Sequence, residues 1–180
     1  DGSWGLTLLL GERRKRLITG RRLREILRAC TTLPDWLFDD CHSDVGDSAE
    51  TVALLWPQLR ETLVATPSIQ DPELQALLQR VPEGPALQWW MESLLPAVTR
   101  CEPPEQAQAL TALWCAVPHE RHFLLNKLLT GGFRIGVARG LVVKATAAAF
   151  DLEETTVLER LMGGVEPTAP WFQQLTAPLE

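Results

Sequence analysis

The sequence predicts an all-α fold, which we expect to be a compact bundle of about ten helices with an internal pseudo-twofold repeat. Strand signals are nearly absent: no stretch keeps a period-two alternation, and no Asn-Gly or Asp-Gly pair lies where a hairpin could turn. Alanine, leucine, glutamate and glutamine dominate the intervals between prolines and favour helices. With 180 residues, 46% of them hydrophobic, the chain is long enough to form one domain, residues 1–180, with a substantial core.

The first elements follow from apolar spacing and from helix-ending residues. Residues 4–10 read as the end of a helix, and residues 21–30 form the next one after a basic connector. Pro34 suits the first turn of a third helix, which should stop at Gly46. We expect this third helix to turn three side chains inward, namely Trp36, Leu37 and Cys41.

Capping residues and prolines define the remaining elements. Asp47 or Ser48 can cap a helix that Pro57 should interrupt. Residues 66–86 contain four prolines and predict a surface excursion with one short helix at 74–78. Further helices are predicted at 87–98, 104–117, 119–129, 138–150, 152–162 and 169–175.

Composition excludes several classes of protein. No apolar run is long enough to cross a bilayer, and the first residues lack the order of a secretory signal. The four cysteines have no regular spacing, which is typical of a reducing compartment. We therefore expect a cytoplasmic protein without a membrane partner.

The charge is strongly polarised along the chain. Residues 11–28 contain eight Lys or Arg against two Glu, and residues 121–150 contain five basic residues and no acid, although the whole chain carries a net charge of −6. Basic segments on an acidic body favour binding to phosphates of a nucleic acid. The alternative is that these charged residues only form solvated helix faces.

A glycine-rich turn lies inside the second basic segment. Gly131, Gly132, Gly136 and Gly140 surround one arginine and lead directly into a helical run. Glycines let the main chain approach a ligand closely, and the start of a helix presents free N–H groups to anions. This pattern predicts a site for a phosphate backbone.

The same layout occurs twice in the chain. Leu17-Ile-Thr-Gly20 matches Leu128-Leu-Thr-Gly131, and each is followed by basic residues, two helices and a glycine near Gly46 or Gly163. We expect both halves to share one architecture, with about six extra residues of the second copy in GGFRIG. A pseudo-twofold would place both basic turns on one face.

Taken together, LTGGFRIGVARGLVVKA, LITG with its basic surroundings, PDWLFDDCHSDVGDSAETVALL and LMGGVEPTAPWF resemble the N-terminal DNA-binding domain of ATP-dependent DNA ligases, in particular the bacterial type that accompanies DNA repair genes. The resemblance covers nearly the whole chain. It implies an all-helical domain with pseudo-twofold symmetry. Together with an adenylation domain and an OB-fold domain, such a domain encircles nicked double-stranded DNA and grips phosphates of the minor groove without sequence preference.

Carried over by residue, the resemblance implies two DNA-facing turns in which main-chain amides and arginines bind. The implied DNA-binding residues are Thr19, Gly20, Arg21, Arg22, Gly131, Gly132, Arg134, Gly136, Arg139 and Lys144. Lys144 either reaches a phosphate or supports the turn. Gly46 and Asp47 correspond to a turn that fixes helix packing and is not a DNA contact.

The chain has no catalytic residue of a ligase. Its three lysines stand in KRLI, KLLT and KATA, and none fits the K-x-D-G motif that carries AMP. The resemblance therefore implies part of a larger monomeric enzyme, used in repair, replication or recombination, whose first helix or two precede Asp1. Its ATP, Mg²⁺ and catalytic groups belong to domains beyond Glu180.

Other arrangements remain open beside this interpretation. Cys115, His119 and His122 have a helical spacing that suits a metal, but no fourth ligand is evident and we expect no metal site. Cys41-His42 suggests a thiol nucleophile, although a core cysteine is the simpler interpretation. Phe133 either plugs the core or wedges against a minor-groove sugar. The rival function is a helical protein-interaction scaffold whose basic edges bind an acidic partner.

Overall fold

The computed structural model describes residues 1–12, 15–133 and 136–178. These residues form helices and turns, with a single antiparallel bridge between Thr31 and Leu63. The predicted all-α class is thus confirmed. None of the helices in the described ranges has the length and apolar character needed to cross a bilayer.

The helices are labelled in chain order. They are α1 (Gly2–Leu9), α2 (Gly20–Cys30), α3 (Asp35–Val45), α4 (Ser48–Leu59), α5 (Pro72–Arg80), α6 (Leu87–Trp89), α7 (Leu95–Arg100), α8 (Pro103–Ala116), α9 (His122–Thr130), α10 (Arg139–Phe150), α11 (Glu154–Met162) and α12 (Ala169–Thr176). Single 3₁₀ turns lie at Arg60–Thr62, Val81–Glu83 and His119–Arg121, and a π turn, Trp90–Leu94, joins α6 to α7.

The chain divides into two compact units. The larger unit, Lys15–Gly132, contains α2 to α9. The smaller unit combines Asp1–Arg14 with Phe133–Glu180 and contains α1 and α10 to α12. The first predicted DNA-facing turn, residues 19–22, therefore belongs to the larger unit. The second, residues 131–139, begins in the larger unit and continues in the smaller one.

Capping residues set the end of α3 and the start of α4, as predicted. Gly46 ends α3 with a left-handed φ of 76°, and the Asp47 carboxylate accepts a hydrogen bond from the Glu50 amide at the start of α4. The prediction that Pro57 interrupts this helix is wrong, because α4 continues to Leu59. Burial of Trp56, only 1% exposed, favours a continuous helix despite the lost hydrogen bond.

The core of the larger unit is built around two tryptophans. The rings of Trp56 and Trp114 lie 5.1 Å apart and both are 1% exposed. The Trp114 Nε1–H donates to Asn126 Oδ1 at 2.9 Å, and the Asn126 amide donates to the carbonyl of Ala49 at 3.1 Å. These bonds satisfy buried polar groups and connect α4, α8 and α9.

The prediction for the inward face of α3 is wrong at its first position. Trp36 is 63% exposed, Leu37 and Cys41 are only partly buried, and Phe38 is the buried residue. Positions 36 and 38 lie about 200° apart around a helix, so only one of them can face the core. Phe38 also packs beneath the Arg24 guanidinium, 5.0 Å from the ring centre.

The proline-rich excursion is anchored to α8. The amide of Ser68 donates to Gln108 Oε1 and the amide of Asp71 donates to Glu105 Oε1, each at 3.0 Å. Leu74 of α5 is 1% exposed. The segment therefore contributes to the core of the larger unit.

The smaller unit has its own apolar core. Residues from α10 and α11 provide most of it, with additions from the end of α1 and from α12. The buried members are Leu10, Val142, Val143, Ala147, Val157, Leu161 and Leu175. This core fixes α10, whose first residue is the predicted site residue Arg139.

Candidate nucleic-acid interface

The first predicted turn is the beginning of α2. Thr19 is the N-cap residue, and its hydroxyl accepts a hydrogen bond from the Arg22 amide at 3.1 Å. Gly20 and Arg21 follow as the first helical residues, and the Arg21 side chain is 89% exposed. The positive end of the helix dipole and an exposed arginine thus coincide, which suits an anion.

Gly20 is required by the packing of α2 on α4. A Cβ atom at this position would lie 2.9 Å from both Cβ and Oγ of Ser48. Only glycine therefore lets the beginnings of the two helices approach so closely.

The second predicted turn begins at the end of α9. Thr130 is the last helical residue, and Gly131 ends the helix with a left-handed φ of 66°. Gly131 is exposed and Gly132 is partly buried.

The two similar segments are in direct contact within the larger unit. The carbonyl of Leu129 accepts hydrogen bonds from the amides of Leu17 at 3.0 Å and Ile18 at 2.9 Å. Leu17 and Ile18 lie directly before Thr19, and Leu129 lies two residues before Gly131. We call the described site residues that flank this contact the paired turns; they are Thr19, Gly20, Arg21, Gly131 and Gly132.

The two segments nevertheless differ in conformation. Thr19 caps the beginning of a helix, whereas Thr130 closes one and donates its hydroxyl to the carbonyl of Asn126 at 2.9 Å. In the second copy the next helix does not begin until Arg139. The order that follows is the predicted one in both copies, because α2 and α3 lead to Gly46 as α10 and α11 lead to Gly163.

Arg22 was expected to contact DNA, but its guanidinium is engaged inside the larger unit. Its Nε donates to Gln106 Oε1 at 3.1 Å, and a second nitrogen donates to the carbonyl of Pro103 at 2.6 Å. The side chain is only 28% exposed. These hydrogen bonds join α2 to α8.

Acidic residues from other segments neutralise much of the predicted basic charge. Within α2, Arg24 pairs with Asp39 and Arg28 pairs with Asp35. Local sequence could not show these pairs, because the acids lie on α3. Lys15 and Arg16 are exposed and form no ion pair with any described residue.

The second basic segment is also partly neutralised. Lys127 of α9 lies 2.6 Å from the Asp47 carboxylate, with 17% of its side chain exposed. Burial alone would raise the pKa of Asp47, but hydrogen bonds from Lys127 and from the Glu50 amide outweigh burial and hold that pKa below its usual value. The sequence alone did not predict this pair, although it offered Asp47 as one of two possible caps of α4.

Three predicted site residues belong to the smaller unit. Gly136 is exposed with a left-handed φ of 68°, and Arg139 pairs with Glu12 at 2.9 Å. Lys144 is exposed on α10 and forms no ion pair with any described residue. Arg134 lies outside the described residues, and Phe133 is partly buried.

The cysteine and histidines weighed as metal ligands have other surroundings. His122 is 3% exposed, and its Nε2–H donates to the carbonyls of Trp114 and Val117, both at 2.9 Å. Burial lowers the pKa of His122 more than these carbonyls raise it. His119 is exposed, Cys115 is partly buried, and the described residues contain no group of three potential metal ligands.

In comparisons with known proteins, no family model, no curated protein and no solved structure matched the chain.

Proposed function

We propose that this chain is the DNA-binding domain of an ATP-dependent DNA ligase. In this proposal it holds nicked double-stranded DNA through minor-groove phosphates, without sequence preference, while other domains of the same chain seal the nick. The observation that supports the proposal most is the contact of segments 17–18 and 129. It joins a positive helix end bearing Arg21 to an exposed glycine turn.

The chemistry of the paired turns is that of a phosphate-binding surface. The first amides of α2 carry the positive end of the helix dipole, Arg21 adds an exposed guanidinium that pairs with Glu25 on the same helix, and Gly131 has no side chain to obstruct the backbone of a ligand. Such contacts position a duplex without reading its bases. Lys15 and Arg16, exposed just before the first turn, extend the positive surface.

In this proposal, residues 1–180 do not carry the catalytic step. None of the three lysines stands in a K-x-D-G motif, so the residues present do not fit attachment of AMP. ATP and Mg²⁺ would serve an adenylation domain, and an OB-fold domain would complete the grip on DNA. We propose a monomeric bacterial enzyme of the cytoplasm that acts in DNA repair, replication and recombination.

The rival proposal, a helical scaffold that binds an acidic protein, also has a supporting observation. Ion pairs with Asp35, Asp39, Asp47 and Glu12 remove much of the charge that a duplex would need. A scaffold would bind through the specific shape of its partner and would not need a long row of free cations.

A salt titration with nicked duplex separates the two proposals. A DNA-binding domain should bind two duplexes of unrelated sequence equally, and its affinity should fall steeply as salt increases, because each neutralised phosphate releases counterions. Arg134→Ala should weaken binding to both duplexes by the same factor. A chain that does not bind duplex at low salt would contradict the ligase proposal.

A further inference from the structure

We propose that the Asp47–Lys127 ion pair is a positioning element that holds the paired turns together, and that Lys127 is not itself a phosphate contact. The part that concerns DNA rests on the proposed function. The part that concerns the turns does not, and it is tested separately below.

The amine of Lys127 is enclosed by the protein. It lies 2.6 Å from Asp47 Oδ2 and 5.5 Å from the centre of the Phe123 ring, an arrangement that adds a cation–π attraction. The side chain is 17% exposed, compared with 89% for Arg21. A cation so engaged would have to leave its partners before it could reach a phosphate.

The ion pair closes a ring of contacts around both turns. Asp47 caps α4, and the next residue, Ser48, contacts Gly20 at the beginning of α2. Lys127 lies on α9 shortly before Leu129, whose carbonyl accepts the Leu17 and Ile18 amides. The ammonium group also lies 3.7 Å from the position that a Cβ of Gly132 would occupy.

Two independent links therefore join α2 to the end of α9. One is the direct pair of hydrogen bonds to Leu129, and the other runs through α4 and the ion pair. The Asn126–Ala49 hydrogen bond also joins α4 to α9, so loss of the ion pair weakens this second link and lets the glycine turn shift beside the start of α2. Small displacements of this kind are enough to weaken binding of a rigid duplex.

Asp47→Asn distinguishes the two possible roles of Lys127 by the sign of its effect. Asparagine keeps the cap of α4, because it is as good an N-cap residue as aspartate, but it removes the charge. If Lys127 were a phosphate contact held back by Asp47, the variant would release a cation and bind duplex more tightly. A positioning role predicts weaker binding, by about three- to tenfold.

Glu25→Gln is the matched control. It removes the carboxylate that pairs with Arg21 at 3.0 Å and, on its other oxygen, with Arg22 at 3.5 Å. Because Arg21 is proposed to meet a phosphate, this variant should bind duplex more tightly. We expect Asp47→Asn, Lys127→Met and the double variant to lose similar affinity, since all three break one interaction.

Amide hydrogen exchange tests the positioning role without DNA. The Leu17 and Ile18 amides should exchange severalfold faster in Asp47→Asn and Lys127→Met than in the wild type, while amides of α8 remain unchanged. Lys127→Arg retains a cation for Asp47, so the Leu17 and Ile18 amides of this variant should be as protected as in the wild type.

The outcomes for the two proposals are separable. Unchanged exchange at Leu17 and Ile18 would overturn the positioning role, and so would tighter duplex binding by Asp47→Asn. If the wild type fails to bind duplex while the exchange result is as expected, the proposed function fails and the positioning of the turns stands.

Discussion

Arg21 and Arg22 are neighbours in α2, but their side chains leave the helix in different directions. Arg21 contacts Glu25 on its own helix and leaves 89% of its side chain exposed. Arg22, rotated by about 100° around the helix, reaches the beginning of α8 and donates to Pro103 and Gln106. The same residue type thus lies exposed at one position and forms a tertiary bond at the next.

Arg21→Ala should weaken duplex binding and leave the fold unchanged. We expect the dependence of log affinity on log salt to lose a slope of about 1, because one phosphate contact is removed. Arg22→Ala is its control and should instead lower the free energy of unfolding by about 1 to 3 kcal/mol. Affinity titrations and urea denaturation measure both quantities, and the reverse pattern would show that the two roles are exchanged.

Gly20→Ala should destabilise the larger unit by about 1 to 3 kcal/mol, because its methyl group would meet Ser48 at 2.9 Å. Ser48→Gly added to this variant should recover part of the loss, since it removes the atoms in conflict. Urea denaturation of the two single variants and the double variant measures this effect. Additive losses in the double variant would contradict the close packing of α2 on α4.

At the scale of elements, local signals predicted boundaries well and helix faces less well. The Asp47 cap and the left-handed Gly46 depend on a few adjacent residues, so the sequence was sufficient to place them. The burial of Phe38 in place of Trp36 depends on which side of α3 meets the rest of the protein. No local pattern carries that information.

The ion pairs of the candidate site likewise could not be predicted from local sequence. Lys127 and Asp47 are 80 residues apart in the chain, and Arg139 and Glu12 are 127 residues apart. A charge count within one segment therefore overestimated the free positive charge of that segment. The glycines of the paired turns stood out in the sequence because backbone requirements are local, whereas the cap at Thr19 was not predicted.

His122, at the junction of α8 and α9, should make the free energy of unfolding depend on pH. Burial lowers its folded-state pKa, so the unfolded chain binds a proton that the folded chain does not. The free energy of unfolding should therefore be lower at pH 5.5 than at pH 7.5, with the loss beginning as pH falls through about 6.5, the ordinary pKa of histidine.

Urea denaturation at the two pH values checks this expectation. His122→Gln should reduce the difference between them, whereas His119→Gln, which changes an exposed histidine, should retain it. An undiminished difference in His122→Gln would assign the pH dependence to other groups.

At the scale of the whole molecule, a net charge of −6 leaves few positions where a polyanion could bind. The DNA binding that we propose would then depend on local fields, as at the paired turns, where a helix end and exposed cations coincide. The repeat in the sequence indicated that LITG and LLTG are related. It did not predict that the two segments would hydrogen-bond to each other, because similarity implies similar conformation and not contact.

A titration of the full chain with nicked duplex, followed through the backbone amide resonances, tests whether the paired turns bind the phosphates of a duplex. We expect the largest shifts at Gly20, Arg21, Gly131 and Gly132, on any duplex sequence, and we expect them to reverse at high salt. Binding that leaves these four amides unshifted would contradict the proposal.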